Sequence, residues 1–260
     1  MSTPLQPANS ADWLFSGGLV PPQFNPKSFP KSGRCGTWFE RRCQRAGFRF
    51  IAGVDEVGRG ALFGPVLAAA VILDLGADAA RYFSKNSSVR IRGIQDSKQL
   101  PVKERERLSE EIRRRAVAWS IASVEPGEID RINIYQASRL AMRQAVLTLH
   151  SPADLVLVDA MRLDVQIPQV GIIHGDALSV SIAAASIIAK VERDRLLREW
   201  DRIYPHYQLA RNKGYGTLAH RAKLRELGPT PLHRFSYAPV AQAADHEPIP
   251  ESDSLFPVDA

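Results

Sequence analysis

Four carboxylates sit where regular elements are expected to end: Asp55 and Glu56 side by side, Asp159 behind Leu155-Val156-Leu157-Val158, and Asp176 behind Val170-Gly171-Ile172-Ile173 and His174-Gly175. An isolated Asp-Glu pair is usually a solvated strand end, so the weight rests on the set. Brought to one place, four such groups repel one another unless a cation sits among them. Hard oxygen ligands select Mg²⁺ or Mn²⁺ over zinc, and no His/Cys cluster competes. Two such ions about 3.5–4 Å apart can hold one phosphodiester, one activating water and the other stabilising the leaving oxygen. The chemistry open to the set is phosphodiester hydrolysis.

Other residues could hold the substrate. Gly58, Arg59 and Gly60 follow the acidic pair at once, and glycines there let main-chain groups approach a sugar or phosphate. Tyr215 stands between Gly214 and Gly216, with Lys213 and Arg211 nearby. An aromatic so placed can stack on a sugar or base; tucked against the core it would do nothing of the kind. Ser97 and Lys98 can contact phosphates, although Asp96-Ser97-Lys98 also reads as a helix cap. His174, beside Gly175-Asp176, could move protons, but a lone histidine is more often structural. Glu192 and Asp194 read as surface partners of Arg193, Arg195 and Arg198 on a helix.

The elements that must position these groups alternate in type. Phe48, Phe50, Ala52 and Val54 alternate with Arg49, Ile51 and Gly53, which predicts a strand with one buried face running into Asp55-Glu56. Neighbours on a strand point to opposite faces, so the two acids can share a site only where the strand ends or bulges. A short helix is expected between Gly36 and Gly47, further strands at 65–73, 118–124, 155–158 and 170–173, and helices from about 96 to 116, 133 to 149 and 220 to 227. Residues 182–190 are apolar nearly all round and predict a buried helix that continues past Leu197 and Trp200. Ligands of α/β sheets gather at the carboxyl ends of strands, where Asp159 and Asp176 are expected.

With 260 residues, 45% hydrophobic and 24% charged, the chain can bury a real core. No apolar stretch is long enough for a membrane helix and no secretory signal is expected, which points to the cytoplasm. Cys35 and Cys43 are too few for a disulfide framework. The net charge of +6 hides an acidic end: beyond Ala241 come Asp245, Glu247, Glu251, Asp253 and Asp259 with no Lys or Arg. A basic body around an acidic site suits a polyanionic partner. The proline-rich residues 1–34 are read as a disordered extension, 35–240 as the catalytic domain and 241–260 as a disordered tail.

Taken together, Val54-Asp55-Glu56-Val57-Gly58-Arg59-Gly60, Asp96-Ser97-Lys98, Val158-Asp159-Ala160, Gly175-Asp176 with the helix from Ile182 to Asp194, and Lys213-Gly214-Tyr215-Gly216-Thr217 strongly resemble bacterial ribonuclease HII. The resemblance covers about Ile51 to Val240. It implies a ribonuclease H-like α/β fold, with a mixed five-stranded sheet flanked by helices and a C-terminal helical portion. It also implies an endonuclease acting on the RNA strand of RNA/DNA hybrids and on the 5′ side of a lone ribonucleotide in duplex DNA. Asp55, Glu56, Asp159 and Asp176 would then be the metal-binding catalytic carboxylates. Gly58, Arg59 and Gly60 would read the ribose 2′-hydroxyl, and Tyr215 would pack on the sugar of the following deoxynucleotide.

Three positions depart from the usual family pattern: His174 where Lys is common, Asn212 where His is common, and Ala160 where Gly is common. The related ribonuclease HIII is disfavoured by Arg59-Gly60 and by an extension too short for that family's N-terminal domain. A hybrid-binding module without catalysis is disfavoured by the intact acids, which would only repel phosphate. In the tail, Ser252-Asp253-Ser254-Leu255-Phe256 resembles the Leu-Phe peptides that dock on the bacterial sliding clamp. A monomer is expected.

Overall fold

Residues 19–24, 35–76, 82 and 89–245 are described by a computed structural model of the chain. In order they form α1 (Trp38–Arg45), β1 (Ile51–Val57), β2 (Val66–Ile72), a 3₁₀ turn (Ser97–Gln99), α2 (Val102–Arg115), β3 (Ala118–Val124), α3 (Pro126–Leu147), β4 (Leu155–Asp159), β5 (Gln169–Ile172), α4 (Gly175–Leu178), α5 (Val180–Ile203), a 3₁₀ turn (Pro205–Tyr207), α6 (Leu209–Asn212), α7 (Leu218–Leu227) and α8 (Ala238–Ala244). None of these helices is long and apolar enough to cross a membrane. The clamp-like motif at Leu255-Phe256 lies outside the described residues. Within the stretch read as a disordered extension, Phe24 packs its ring 5.1 Å from that of Phe39. At the other end α8 carries regular structure to Ala244, into the segment read as tail.

The five strands make one mixed sheet in the order β3-β2-β1-β4-β5. β1 is antiparallel to β2 and parallel to β4. One face packs on α3 through Ala52, Val54, Ala68, Ala70, Val156 and Val158. The other packs on α5 and α2, where Ala69 and Val71 meet Ala184 and Leu108, and on α1 through Ile51 and Leu157. The last helices, α6, α7 and α8, gather on the second half of α5, around Phe63, Leu197, Leu209 and Leu224.

Three expectations fail for physical reasons. β1 is central and covered on both faces, so the alternation read from Phe48 does not hold: Ile51 is buried, while Phe50 lies before the strand and is 44% exposed. The helix expected from Asn133 begins at Pro126, since proline at the first helical position needs no N–H. Asn133 instead marks a kink (φ 68°), and its side chain accepts from the Gln136 amide to restart the helix. Finally, Arg193 and Asp194 are buried rather than on the helix surface. Asp194 accepts from Lys190 and Arg105, and only Glu192 makes the expected surface pairing, with Arg195, besides reaching Arg113.

Candidate active site

β1 delivers Asp55 and Glu56 without ending or bulging, contrary to the condition set above. Its ladder with β2 continues unbroken through Asp55↔Ala69, Glu56↔Ala68 and Val57↔Leu67. Pairing with β4, however, stops at Val54↔Val158. Past that point the β4 side of β1 is open, so side chains from both faces can reach round it. Asp159 is next on β4 after Val158, and Asp176 sits in the first turn of α4.

The structure brings the four acids into mutual electrostatic range, each turned to a donor of its own. Asp55 accepts from the Glu56 amide (2.8 Å), Asp159 from the Gly175 amide (2.7 Å), Asp176 from Lys98 Nζ (3.3 Å) and Glu56 from Arg59 Nη1 (3.4 Å). Burial, then the charges of Glu56 and Asp159, hold the Asp55 carboxyl well above the usual carboxylate range. Burial raises Glu56 as well, against the pull of Arg59, and raises Asp159 against the Gly175 amide.

Among the described residues no three acids stand preformed as a metal cage, as expected where like charges face one another without a counter-charge. The donor set still fits a hard divalent cation. It is all oxygen, Asp55, Glu56 and Asp159 are destabilised in their charged forms, and Glu56 Oε2 is buried with no hydrogen-bond partner.

Of the other predicted residues, Lys98 bonds Asp176 as above and the glycine turn follows β1 directly, while one is an exception. Gly58 (φ 94°) turns the chain out of β1 where a Cβ would meet Arg193 Nε at 2.5 Å, which only glycine avoids. Arg59 and Gly60 are exposed. Tyr215 forms a bridge with Ala61, and its ring, 40% exposed, borders Gly60. Lys213 is left-handed (φ 56°) at the start of the Tyr215 turn. Ser97 is the exception: it is 2% exposed and its hydroxyl pairs with Ser186 Oγ at 2.9 Å, beneath the site rather than at its surface.

The departures from the family pattern also have visible places. Ala160 and His174 both hold left-handed backbone (φ 50° and 57°), a conformation that costs an L-residue about 1–2 kcal/mol. Asn212 braces the Tyr215 turn from both ends, donating to the Tyr207 carbonyl and accepting from the Gly214 amide.

Sequence reasoning missed the residues that hold these loops. Arg193 donates to the carbonyls of Phe63 and Pro65. Arg234 Nε donates to the Gly64 carbonyl (2.9 Å) and its Nη1 to the Arg59 carbonyl (2.8 Å), which Tyr237 also engages. Burial, with Arg234 close by, pushes Arg193 down to about 10. No sequence signal announced this role: Arg193 follows the stretch 182–190 expected to be buried and reads there as a surface partner of Glu192 and Asp194.

Known proteins resemble this chain in sequence and in fold. The model of the family described as Ribonuclease HII matches residues 52–240. A ribonuclease HII of Koribacter versatilis (strain Ellin345) is 54% identical over 218 residues, covering 84% of this chain and 81% of that protein. The crystal structure of ribonuclease H2 from Pyrococcus horikoshii OT3 superimposes with a TM-score of 0.62 at 24% identity, covering 75% of this chain and 97% of that one. The RNase HII of Archaeoglobus fulgidus, solved in a complex with PCNA, superimposes with a TM-score of 0.60 at 24% identity, covering 76% and 98%. The mixed sheet with its flanking helices is thus the ribonuclease H-like fold. By its sequence from Ala52 to Val240 the chain belongs to the ribonuclease HII family, endoribonucleases of the ribonuclease H class.

Proposed function

We propose that the enzyme hydrolyses the RNA strand of RNA/DNA hybrids and cuts on the 5′ side of a lone ribonucleotide in duplex DNA, leaving 5′-phosphate and 3′-hydroxyl ends. The observation that carries this reading is the meeting of four carboxylates with a glycine turn and an exposed tyrosine at the open ends of β1 and β4. Asp55, Glu56, Asp159 and Asp176 would hold Mg²⁺ or Mn²⁺. Such ions supply Lewis acidity at a phosphoryl oxygen and make bound water a better nucleophile in a two-ion mechanism.

The chain's own residues select the substrate. Arg234 and Tyr237 fix the Arg59 carbonyl. Among the described residues no main-chain bond engages the Arg59 and Gly60 amides, so these are left for a ligand. A 2′-hydroxyl is both donor and acceptor and is the local chemical difference between RNA and DNA, so a turn with main-chain groups on offer suits it. Tyr215 packs on the next sugar, and a ring there favours a deoxyribose without the extra oxygen. Lys98 and Lys213 meet phosphates of the flanking strand. The enzyme works as a cytoplasmic monomer, and the Leu255-Phe256 segment is where it would meet a sliding clamp.

Cleavage of a labelled RNA/DNA hybrid tests the central assignment. With Mg²⁺ or Mn²⁺ the wild type cuts the RNA strand, and chelation stops it. Asp55→Asn loses on the order of 100-fold or more, at least what a residue supporting a metal ligand costs when replaced. Cleavage persisting in Asp55→Asn or under chelation would remove the carboxylates from the chemistry.

A further inference from the structure

His220 and His233 are fully buried beneath the Tyr215 turn, and nothing in the reaction proposed above uses them. Their Nε2 atoms lie 3.1 Å apart. On one side, His233 Nδ1 faces both the main-chain N–H of Thr230 at 2.9 Å and its hydroxyl, which can donate as well, at 3.0 Å. On the other, His220 Nδ1 faces the carbonyl oxygen of Tyr215 at 3.0 Å.

The two ends settle every proton between them. A peptide N–H can only donate and a peptide carbonyl can only accept. Thr230 therefore excludes a proton from Nδ1 of His233, whose proton must sit on Nε2. That proton is donated to Nε2 of His220, which must be bare. His220 then carries its own proton on Nδ1 and donates it to Tyr215. The chain of bonds has one direction and requires both rings neutral; a further proton would set two N–H groups against each other.

We propose that this imidazole pair is a positioning relay that fixes the main chain of Tyr215, and through it the ring that borders Gly60. The proposal rests on the substrate-facing role given to Tyr215 above. Two observations say why the turn needs such a tie. Lys213, which has a Cβ, is left-handed (φ 56°), a conformation that surrounding structure must enforce. The tyrosine ring is too exposed to be held by packing alone. The Tyr215 carbonyl accepts one local bond, from the Thr217 amide at 2.8 Å, and the His220 bond ties it to α7 and the Thr230–His233 segment.

The surroundings keep the pair neutral. The ring of Phe63, edge-on, and that of Tyr207, tilted, lie 4.9 and 5.0 Å from His233. The titratable side chain packed against both rings is Tyr207, the Arg193 guanidinium is held at the carbonyl of Phe63, and no carboxylate of the described residues bonds to either ring. Burial first, then His220, lowers His233 to about 3, and burial lowers His220. The stability this neutral pair contributes is present above the ordinary histidine value near 6.5 and is lost as pH falls from there toward 3.

Long-range ¹⁵N–¹H spectra of the imidazole rings in the wild-type protein at pH 7 read the relay without any activity. His233 in the Nε2–H form and His220 in the Nδ1–H form are expected; a cationic ring, or either ring in the other tautomer, overturns it. Kinetics on a duplex with one ribonucleotide read its purpose. His220→Phe should raise KM about fivefold, the equivalent of one lost hydrogen bond, with kcat little changed. His220→Asn, whose amide can still donate to the Tyr215 carbonyl, should recover most of the loss. A His220→Phe enzyme with wild-type KM would overturn the positioning role, and should that variant not fold, the ring spectra decide. If the wild type cut no such duplex, the functional reading would fail while the spectra still judged the relay.

Discussion

Asp55 is a carboxylate kept where its charge is costly. It is 5% exposed, and Glu56, Asp159 and Asp176 all raise its pKa further. Ground-state cost of this kind marks functional sites, because a group tuned for a cation is poorly served without one. Asp55→Asn should therefore make the metal-free protein more stable at pH 7, by on the order of 1 kcal/mol, while removing activity. The sign with pH follows from the raised value. A carboxyl with a raised folded pKa gives its full stability below its unfolded value near 3.9 and loses it as pH rises through the folded one. Denaturant melts of both proteins in chelator should thus coincide near pH 3 and separate as pH rises. A mutant less stable at pH 7 would mean that Asp55 makes a favourable contact even without metal. The left-handed Ala160 and His174, beside Asp159 and Asp176, are local strain gathered at the same place.

At the scale of elements, the site depends on how closely β1 approaches the start of α5. Gly53, two residues before Asp55, lies against the backbone of Ser181: a Cβ there would sit 2.0 Å from the Ser181 carbonyl carbon and 2.3 Å from the Ile182 nitrogen. Neither atom is at the end of a side chain that could swing away. Gly53→Ala should cost about 3 kcal/mol or more, read as a lowered denaturation midpoint. A wild-type midpoint would show that β1 and α5 are not in such contact. This approach was not legible in the sequence, where Gly53 reads as one weak strand residue. What was legible had local causes. β2 and the first half of α5 are long apolar runs, and Asp159 and Asp176 follow short ones, so their places at element ends could be expected. Pro126-Gly127 signals a break and in fact begins α3. Arg193 and Arg234 bond to carbonyls more than 100 positions away, so no local pattern could announce them.

For the whole molecule, a net charge of +6 around an acidic centre separates two jobs. On the function proposed above, basic groups would meet the phosphate backbone, while the turn at Gly58–Gly60 and Tyr215 would examine sugars. The Thr230–Tyr237 segment ties the glycine turn and the Tyr215 turn together, holding Arg59 through Arg234 and Tyr215 through His233 and His220. The two jobs should separate in binding measured against salt. Lys213→Gln should reduce the log–log slope of affinity against salt by about 0.9, one phosphate contact. Tyr215→Ala should weaken binding at every salt concentration with the slope unchanged; a matching fall in slope would assign Tyr215 to phosphate rather than sugar. The most direct test of the account is cleavage of an end-labelled DNA duplex carrying one ribonucleotide, beside the same duplex made entirely of DNA, with Mg²⁺ or Mn²⁺ present. A single cut on the 5′ side of the ribonucleotide, with the all-DNA duplex left whole, is the predicted result. Cutting of both duplexes, or of neither while long RNA/DNA hybrids are still cut, would contradict the claim that the glycine turn and Tyr215 recognise an RNA-to-DNA junction.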